Sequence, residues 1–205
     1  MTHFAFAAIA LWLFNIHMPN APRILAFSGS ARRASLNKKL LAVVVAEVRA
    51  AGGEVTHLEI NDYPLPLYHG DLEEEQGMPA NANKLVELVK GHDALLVASP
   101  EYNSMITPLL KNTIDWCSRA DDNPFEGRVA AVVSASPGPF GGVRSAVLAR
   151  QLLMKLGCTL VPAECTLPKA NEAFDENGGL KNPRSLEAAR KVAAQLVRIT
   201  GKLAG

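Results

Sequence analysis

Three short segments hold the residues whose types and spacing could do chemistry. The first is Ser28-Gly29-Ser30-Ala31-Arg32-Arg33-Ala34-Ser35-Leu36-Asn37. It gathers hydroxyls, a side-chain amide and two guanidinium groups just where a helical pattern begins. A phosphate gives up its water shell only for fixed donors, and a polar turn opening onto a helix N-terminus supplies them. The segment contains neither G-x-G-x-x-G nor Gly-Lys-Ser/Thr, so it is neither a dinucleotide fingerprint nor a Walker loop, and a phosphate monoester is the fitting guest. The second segment is Pro100-Glu101-Tyr102-Asn103. It offers backbone N–H groups and one tyrosine but little nucleophilic chemistry, which suits a flat, polar-edged ligand better than a covalently attacked one. The third, Ser136-Pro137-Gly138-Pro139-Phe140-Gly141-Gly142-Val143-Arg144, has glycines that let backbone approach a ligand closely. Each segment alone is also what an ordinary capped turn looks like. Their joint meaning depends on whether the fold brings them together.

The hydrophobic pattern indicates how it would. From Arg23 onward, apolar strand-like runs alternate with helical periodicity: strands at 23–27, 54–60, 93–98, 129–134 and 158–163, and helices at 36–51, 83–90, from Pro108, 143–156 and from Pro183 to about 200. Thr107 before Pro108, and Asn182 before Pro183, read as N-caps with proline at the first helical position. Such alternation implies a parallel sheet covered on both faces, and right-handed crossovers make it doubly wound. The loops after strands one, three and four then lie side by side at the C-terminal edge, around the switch point where such sheets bind ligands. A phosphate cradle, a tyrosine platform and a glycine rim in one place describe a site for a mononucleotide with a planar head group. Residues 61–82 and 166–181 read as long charged loops.

Composition narrows the class. The chain has 205 residues and a formal charge of +1 with its basic residues dispersed, so one domain is expected, with no electrostatic footprint for nucleic acid or a membrane surface. Cys117, Cys158 and Cys165 form no C-x-x-C pair, which points to buried reduced thiols and a cytoplasmic location. His57, His69 and His92 stand apart from one another and from the cysteines, so no metal site is expected. Residues 4–14 are apolar but span about half the length needed to cross a bilayer. The division expected is an N-terminal extension, 1–21, and one domain, 22–205. The extension reads either as a weak signal-like segment or as lying ahead of a start at Met18, and we favour the second.

The patterns G-S-x-R-x-x-S-x-N, P-E-Y-N-x-x-x-x-P-x-L-K-N-x-I-D-W and S-P-G-x-x-G-G-x-R resemble the NADPH-dependent FMN reductases, a family that includes quinone, chromate and azo reductases. The Pro64-Leu65-Pro66-Leu67-Tyr68 turn and residues 173–180 are similar to that family as well. The resemblance implies a flavodoxin-like sheet of five parallel strands in the order 2-1-3-4-5. It implies that Ser30, Arg32, Ser35 and Asn37, with Leu36 between them, hold the FMN phosphate. Pro100, Glu101, Tyr102 and Asn103 would line the isoalloxazine and ribityl chain, with Ser136, Gly141 and Gly142 nearby. Homodimers or homotetramers are implied too. Leu109 departs from the glycine that relatives often carry after the proline, and it would shift the helix start slightly.

The implied chemistry runs on the flavin N5, with NADPH or NADH as donor, a small electron acceptor, and no catalytic side chain or metal. Arg32, Arg33, Arg119 and Arg144 are candidates for the 2′-phosphate of NADPH, and each could equally be a surface arginine. Two rival readings stay open: a non-catalytic FMN electron carrier, which the near-neutral charge disfavours, and a phosphate- or nucleotide-sensing module on the same fold.

Overall fold

The computed structural model describes residues 21–203. The N-terminal extension, with the choice between Met1 and Met18 as start, lies outside the described residues. Strand β1 (Arg23–Ser28) is buried on both faces. It pairs in parallel with β2 (Glu54–Leu58) on one side and β3 (Ala94–Ala98) on the other. Next to β3 lies β6 (Val129–Ala135), beyond it the short β7 (Thr159–Leu160), and the order β2-β1-β3-β6-β7 is the flavodoxin-like one expected.

Alternate side chains of each strand feed two cores. Ile24, Ala26, Leu96 and Ala131 face α1 (Leu36–Ala50) and α6 (Pro183–Leu203). Leu25, Phe27, Leu95 and Val132 face α3 (Ala80–Lys90), α4 (Pro108–Cys117) and α5 (Val143–Lys155). This double burial is why the central strands read as continuous apolar runs rather than alternating ones. Among the described residues, no helix is long and apolar enough to cross a membrane.

The structure departs from the expected elements at identifiable places. The fifth strand is not one run over 158–163. It is broken into β7 (Thr159–Leu160) and β8 (Cys165–Leu167), both pairing with β6. Pro162 explains the break, because it has no N–H to give the ladder. Val161 N–H reaches Ala130 O at 2.9 Å, whereas Ala163 N–H turns away to Gln195 Oε1 at 2.8 Å. Strand β2 stops at Leu58, and a single 3-10 turn follows (Ile60–Asp62). The expected loop 61–82 holds helix α2 (Gly70–Gln76), which has no buried residue and therefore no apolar periodicity to reveal it. Helix α4 begins at Pro108 with Thr107 as cap, as expected.

The N-terminal end of the sheet is held by an ion pair. Arg23 Nη2 lies 2.8 Å from Asp93 Oδ1, and Arg23 N–H donates to Asp93 Oδ2 at 2.9 Å. The side-chain hydrogen bond from Arg23 holds the Asp93 carboxyl below its ordinary pKa. A depressed folded-state pKa stabilises the fold above the unfolded value, about 3.9, and that contribution disappears as pH falls through the folded one. Asp93→Asn is therefore expected to flatten the acid limb of a stability-versus-pH curve below about pH 4, checked by urea denaturation across pH. An unchanged acid limb would show that the pair contributes nothing there.

Candidate functional site

The three chemistry-bearing loops converge on a cleft of about 160 Å³ at the C-terminal edge of the sheet. One wall is Ser30, Arg32, Ser35, Leu36 and Asn37; the second is Pro100, Glu101 and Tyr102; the third is Ser136 with Ala135 and Pro137. Asn103, Gly141 and Gly142 are not on its lining. Ser35 caps α1, its Oγ accepting from Lys38 N–H at 3.3 Å, and Ser30 Oγ accepts from Arg32 N–H at 3.4 Å. The N–H groups of Leu36 and Asn37, in the first helical turn, have no acceptor within the helix. With Arg32 also on the cleft lining, this donor set fits a phosphate monoester.

Asn37 is committed structurally as well. Its Nδ2 donates to Ala135 O at 2.8 Å, and its Oδ1 accepts from Ala135 N–H at 2.9 Å. This two-point clamp joins the start of α1 to the end of β6 and so sets the distance between two walls of the cleft.

The second loop is a small hairpin, β4 (Glu101–Tyr102) with β5 (Met105–Ile106). Its two-residue turn places Asn103 at φ 52 and Ser104 at φ 66, the left-handed pair of a type I′ turn. Asparagine tolerates that region, but serine favours it less than glycine does. Ser104→Gly is therefore expected to stabilise the fold by about 1 kcal/mol, read as a raised urea midpoint with the slope unchanged. A lowered midpoint would refute this account of the turn.

Glu101 reaches out of the hairpin to the N-terminus of α5. Its Oε2 accepts from Arg144 N–H at 3.1 Å and Ser145 N–H at 3.2 Å, and Arg144 Nη1 lies 3.3 Å from Oε1. A carboxylate there serves as a cap supplied from outside the helix and complements its dipole. Arg144 also stacks over Phe140, 4.7 Å from the ring centroid. Tyr102, Met105 and Phe140 are about half exposed.

Gly141 and Gly142 stand behind the cleft as packing elements. Gly142 caps α5 at φ 81, and a Cβ on it would lie 2.0 Å from Ser134 Oγ. At Gly141, φ 61, a Cβ would meet the backbone of Leu167 and Pro168 within 3 Å.

The second loop also depends on a residue that the sequence did not single out, Ser145. It is fully buried and touches Ser99 and Pro100 as well as Glu101. No sequence signal marks it, since a serine in the first turn of a helix is commonplace.

Beside the site, α4 anchors the residue 64–68 turn. Pro66 O accepts from Asn112 Nδ2 at 2.9 Å and from Trp116 Nε1 at 2.8 Å, and Asn112 Oδ1 accepts from Tyr68 N–H at 2.8 Å. Tyr68 O–H donates to Glu73 at 2.9 Å, and Arg119 Nε pairs with the same carboxylate at 3.0 Å. Those two hydrogen bonds, Arg119 first, hold the Glu73 carboxyl below its ordinary pKa. Of the arginines considered for a second phosphate, Arg119 and Arg144 are thus paired, and Arg32 lines the cleft. Asp115 forms a surface pair with Lys111 at 2.6 Å.

The three cysteines are free and buried. Burial pushes the thiols of Cys117 and Cys158 up to about 12 and that of Cys165 to about 11, so none supplies a thiolate at neutral pH.

Comparison with known proteins accords with this geometry. Residues 22–172 match the family model described as NADPH-dependent FMN reductase. An NAD(P)H-dependent FMN reductase of Pseudomonas aeruginosa is 36% identical over 166 residues, covering 80% of this chain and 88% of that protein. A probable NADPH:quinone oxidoreductase of Oryza sativa subsp. japonica is 36% identical over 192 residues, covering 91% and 93%. Among solved structures, the flavoenzyme NAD(P)H:(acceptor) oxidoreductase of Paracoccus denitrificans superposes with a TM-score of 0.75 at 26% identity, covering 89% of this chain and 98% of that one. The chain belongs to the NADPH-dependent FMN reductase family.

Proposed function

We propose that the chain is an NAD(P)H-dependent FMN oxidoreductase that passes two electrons from a nicotinamide to small acceptors such as quinones, azo compounds or chromate, or to free FMN. The observation carrying this reading is the single cleft in which Ser30, Arg32 and Ser35 at the start of α1 face Pro100–Tyr102 and Ser136. FMN bound there supplies the redox chemistry, so the protein needs no side-chain nucleophile.

The residues divide that work among themselves. Ser30, Ser35, Arg32 and the first-turn N–H groups of Leu36 and Asn37 hold the phosphate. Pro100, Glu101, Tyr102 and Asn103 provide the backbone edge and the aromatic surface beside the ring, with Ser136 opposite. Gly141 and Gly142 shape the wall from behind. The exposed apolar side chains of the hairpin and of α5, Met105, Val147 and Met154 among them, support association of copies into a homodimer or homotetramer, which light scattering would measure. Buried, unpaired thiols support a cytoplasmic setting.

The deciding experiment adds NADPH, then NADH, anaerobically to FMN-loaded protein and follows the flavin absorbance before a quinone is supplied. Bleaching followed by recovery on adding quinone is expected. No bleaching with either nicotinamide would overturn the enzyme reading, and a chain that takes up no FMN would favour the sensing module. Arg32→Ala is expected to weaken FMN binding about tenfold, the value of one exposed charge-assisted contact, while leaving riboflavin binding nearly unchanged. Equal losses for both flavins would place Arg32 away from the phosphate.

A further inference from the structure

Three consecutive residues of the loop after β3 are fastened to a single residue of α5. Ser145 Oγ lies 2.6 Å from Ser99 Oγ and 2.8 Å from Pro100 O, and Ser145 N–H donates to Glu101 Oε2 at 3.2 Å. Ser134 Oγ donates to Ser99 O at 2.7 Å. Ser99, Ser134 and Ser145 are all fully buried.

The proton directions follow from the acceptors. Pro100 O can only accept, so the Ser145 hydroxyl donates to it, and the Ser99 hydroxyl must then donate to Ser145 Oγ. Every hydroxyl in the cluster has its partner, and a buried network satisfied in this way holds one geometry. The loop backbone at 99–101 is therefore set from below by α5. The α1 end of the cleft is set separately, by the Asn37 clamp on Ala135.

We propose that Ser145, acting through Pro100 and the cleft-lining Glu101, is a positioning residue for this reaction: it sets the Pro100–Asn103 backbone against the flavin ring, and so tunes ring binding and reduction potential without itself lining the cleft. The proposal rests on the FMN reading above. It separates the two ends of the site, with the phosphate held by α1 and the ring edge held through α5.

The test measures FMN and riboflavin affinity and the flavin midpoint potential in the wild-type chain and in Ser145→Ala, Glu101→Ala and Glu101→Gln. Ser145→Ala leaves Pro100 O and the Ser99 hydroxyl each without a partner. It is expected to weaken FMN and riboflavin binding by the same factor, about tenfold, to keep their ratio at the wild-type value, and to shift the midpoint potential. Glu101→Ala, at a partly exposed position, is expected to give the same signature even if Ser145→Ala does not fold. Glu101→Gln keeps an oxygen for the two α5 N–H groups and is expected to restore wild-type affinity and potential.

Wild-type affinity and potential in Glu101→Ala or in folded Ser145→Ala would overturn the proposal. So would a collapsed FMN-to-riboflavin ratio, which would move the effect to the phosphate end. A potential that shifts equally in Glu101→Gln and Glu101→Ala would make the effect one of charge and would also overturn it. Failure of the wild-type chain to bind FMN would instead bring down the functional reading, and this proposal with it; wild-type binding with unaltered variants brings down this proposal alone.

Discussion

Replacing Trp116 by alanine is expected to destabilise the protein by about 4 kcal/mol, the range for removing a fully buried large aromatic from a packed interior. Trp116 has no exposed surface, and its ring meets Tyr68 edge-on with centroids 5.1 Å apart. Its Nε1–H also donates to Pro66 O, so the substitution opens a cavity and loosens the 64–68 turn together. Trp116→Phe separates the two effects: it keeps most of the ring, and Pro66 O retains the Asn112 amide. That variant should lose only about 1–2 kcal/mol. Urea denaturation of both variants checks the ordering. A Trp116→Ala loss below about 1 kcal/mol would mean that the site collapses onto the space left behind.

The second large effect is expected from Gly142→Ala. The left-handed backbone at φ 81 costs any residue with a Cβ about 1 kcal/mol. The added methyl must also displace Ser134 Oγ, which lies 2.0 Å from its position and donates to Ser99 O. Strain of that kind and the lost hydrogen bond bring the total to about 3 kcal/mol, or roughly 10 °C in Tm for a chain of this length. Ser134→Ala removes the obstructing atom, so Gly142→Ala should cost less in that background than alone, a coupling measured by a double-mutant cycle. Strict additivity would place the cost elsewhere.

The strand and helix alternation was legible in the sequence because its signals are local. Apolar runs bounded by turns, and caps such as Thr107 before Pro108, need no knowledge of distant residues. They sufficed for a doubly wound parallel sheet and for the convergence of three loops, since parallel strands joined by right-handed crossovers leave few alternatives; the strand order itself came from the family resemblance. Even the broken fifth strand had a visible mark, Pro162, although apolar neighbours on both sides obscured it. Helix α2 left none, because a helix that buries nothing has no apolar face to show in its pattern.

The roles of particular side chains within the site were a different matter. By residue type, Ser30, Arg32 and Ser35 suggested a phosphate cradle, and the cleft brings them together. The family resemblance made Glu101 a lining residue, which it is, and the glycines of Gly141-Gly142 read as a rim that lets backbone approach a ligand; neither reading showed what else these residues hold. The tertiary structure shows Glu101 capping a helix more than forty residues away, and both glycines filling spaces that no Cβ could share. Ser145 could not be distinguished from any other helix serine until the fold placed it beneath the loop after β3.

What the sequence determined by itself was the order of elements and the chemistry each loop could offer, both properties of neighbouring residues. What the tertiary structure alone decided was which polar groups remain free for a ligand. That depends on hydrogen bonds closed between residues distant in the chain, and such partners exist only once the sheet is assembled.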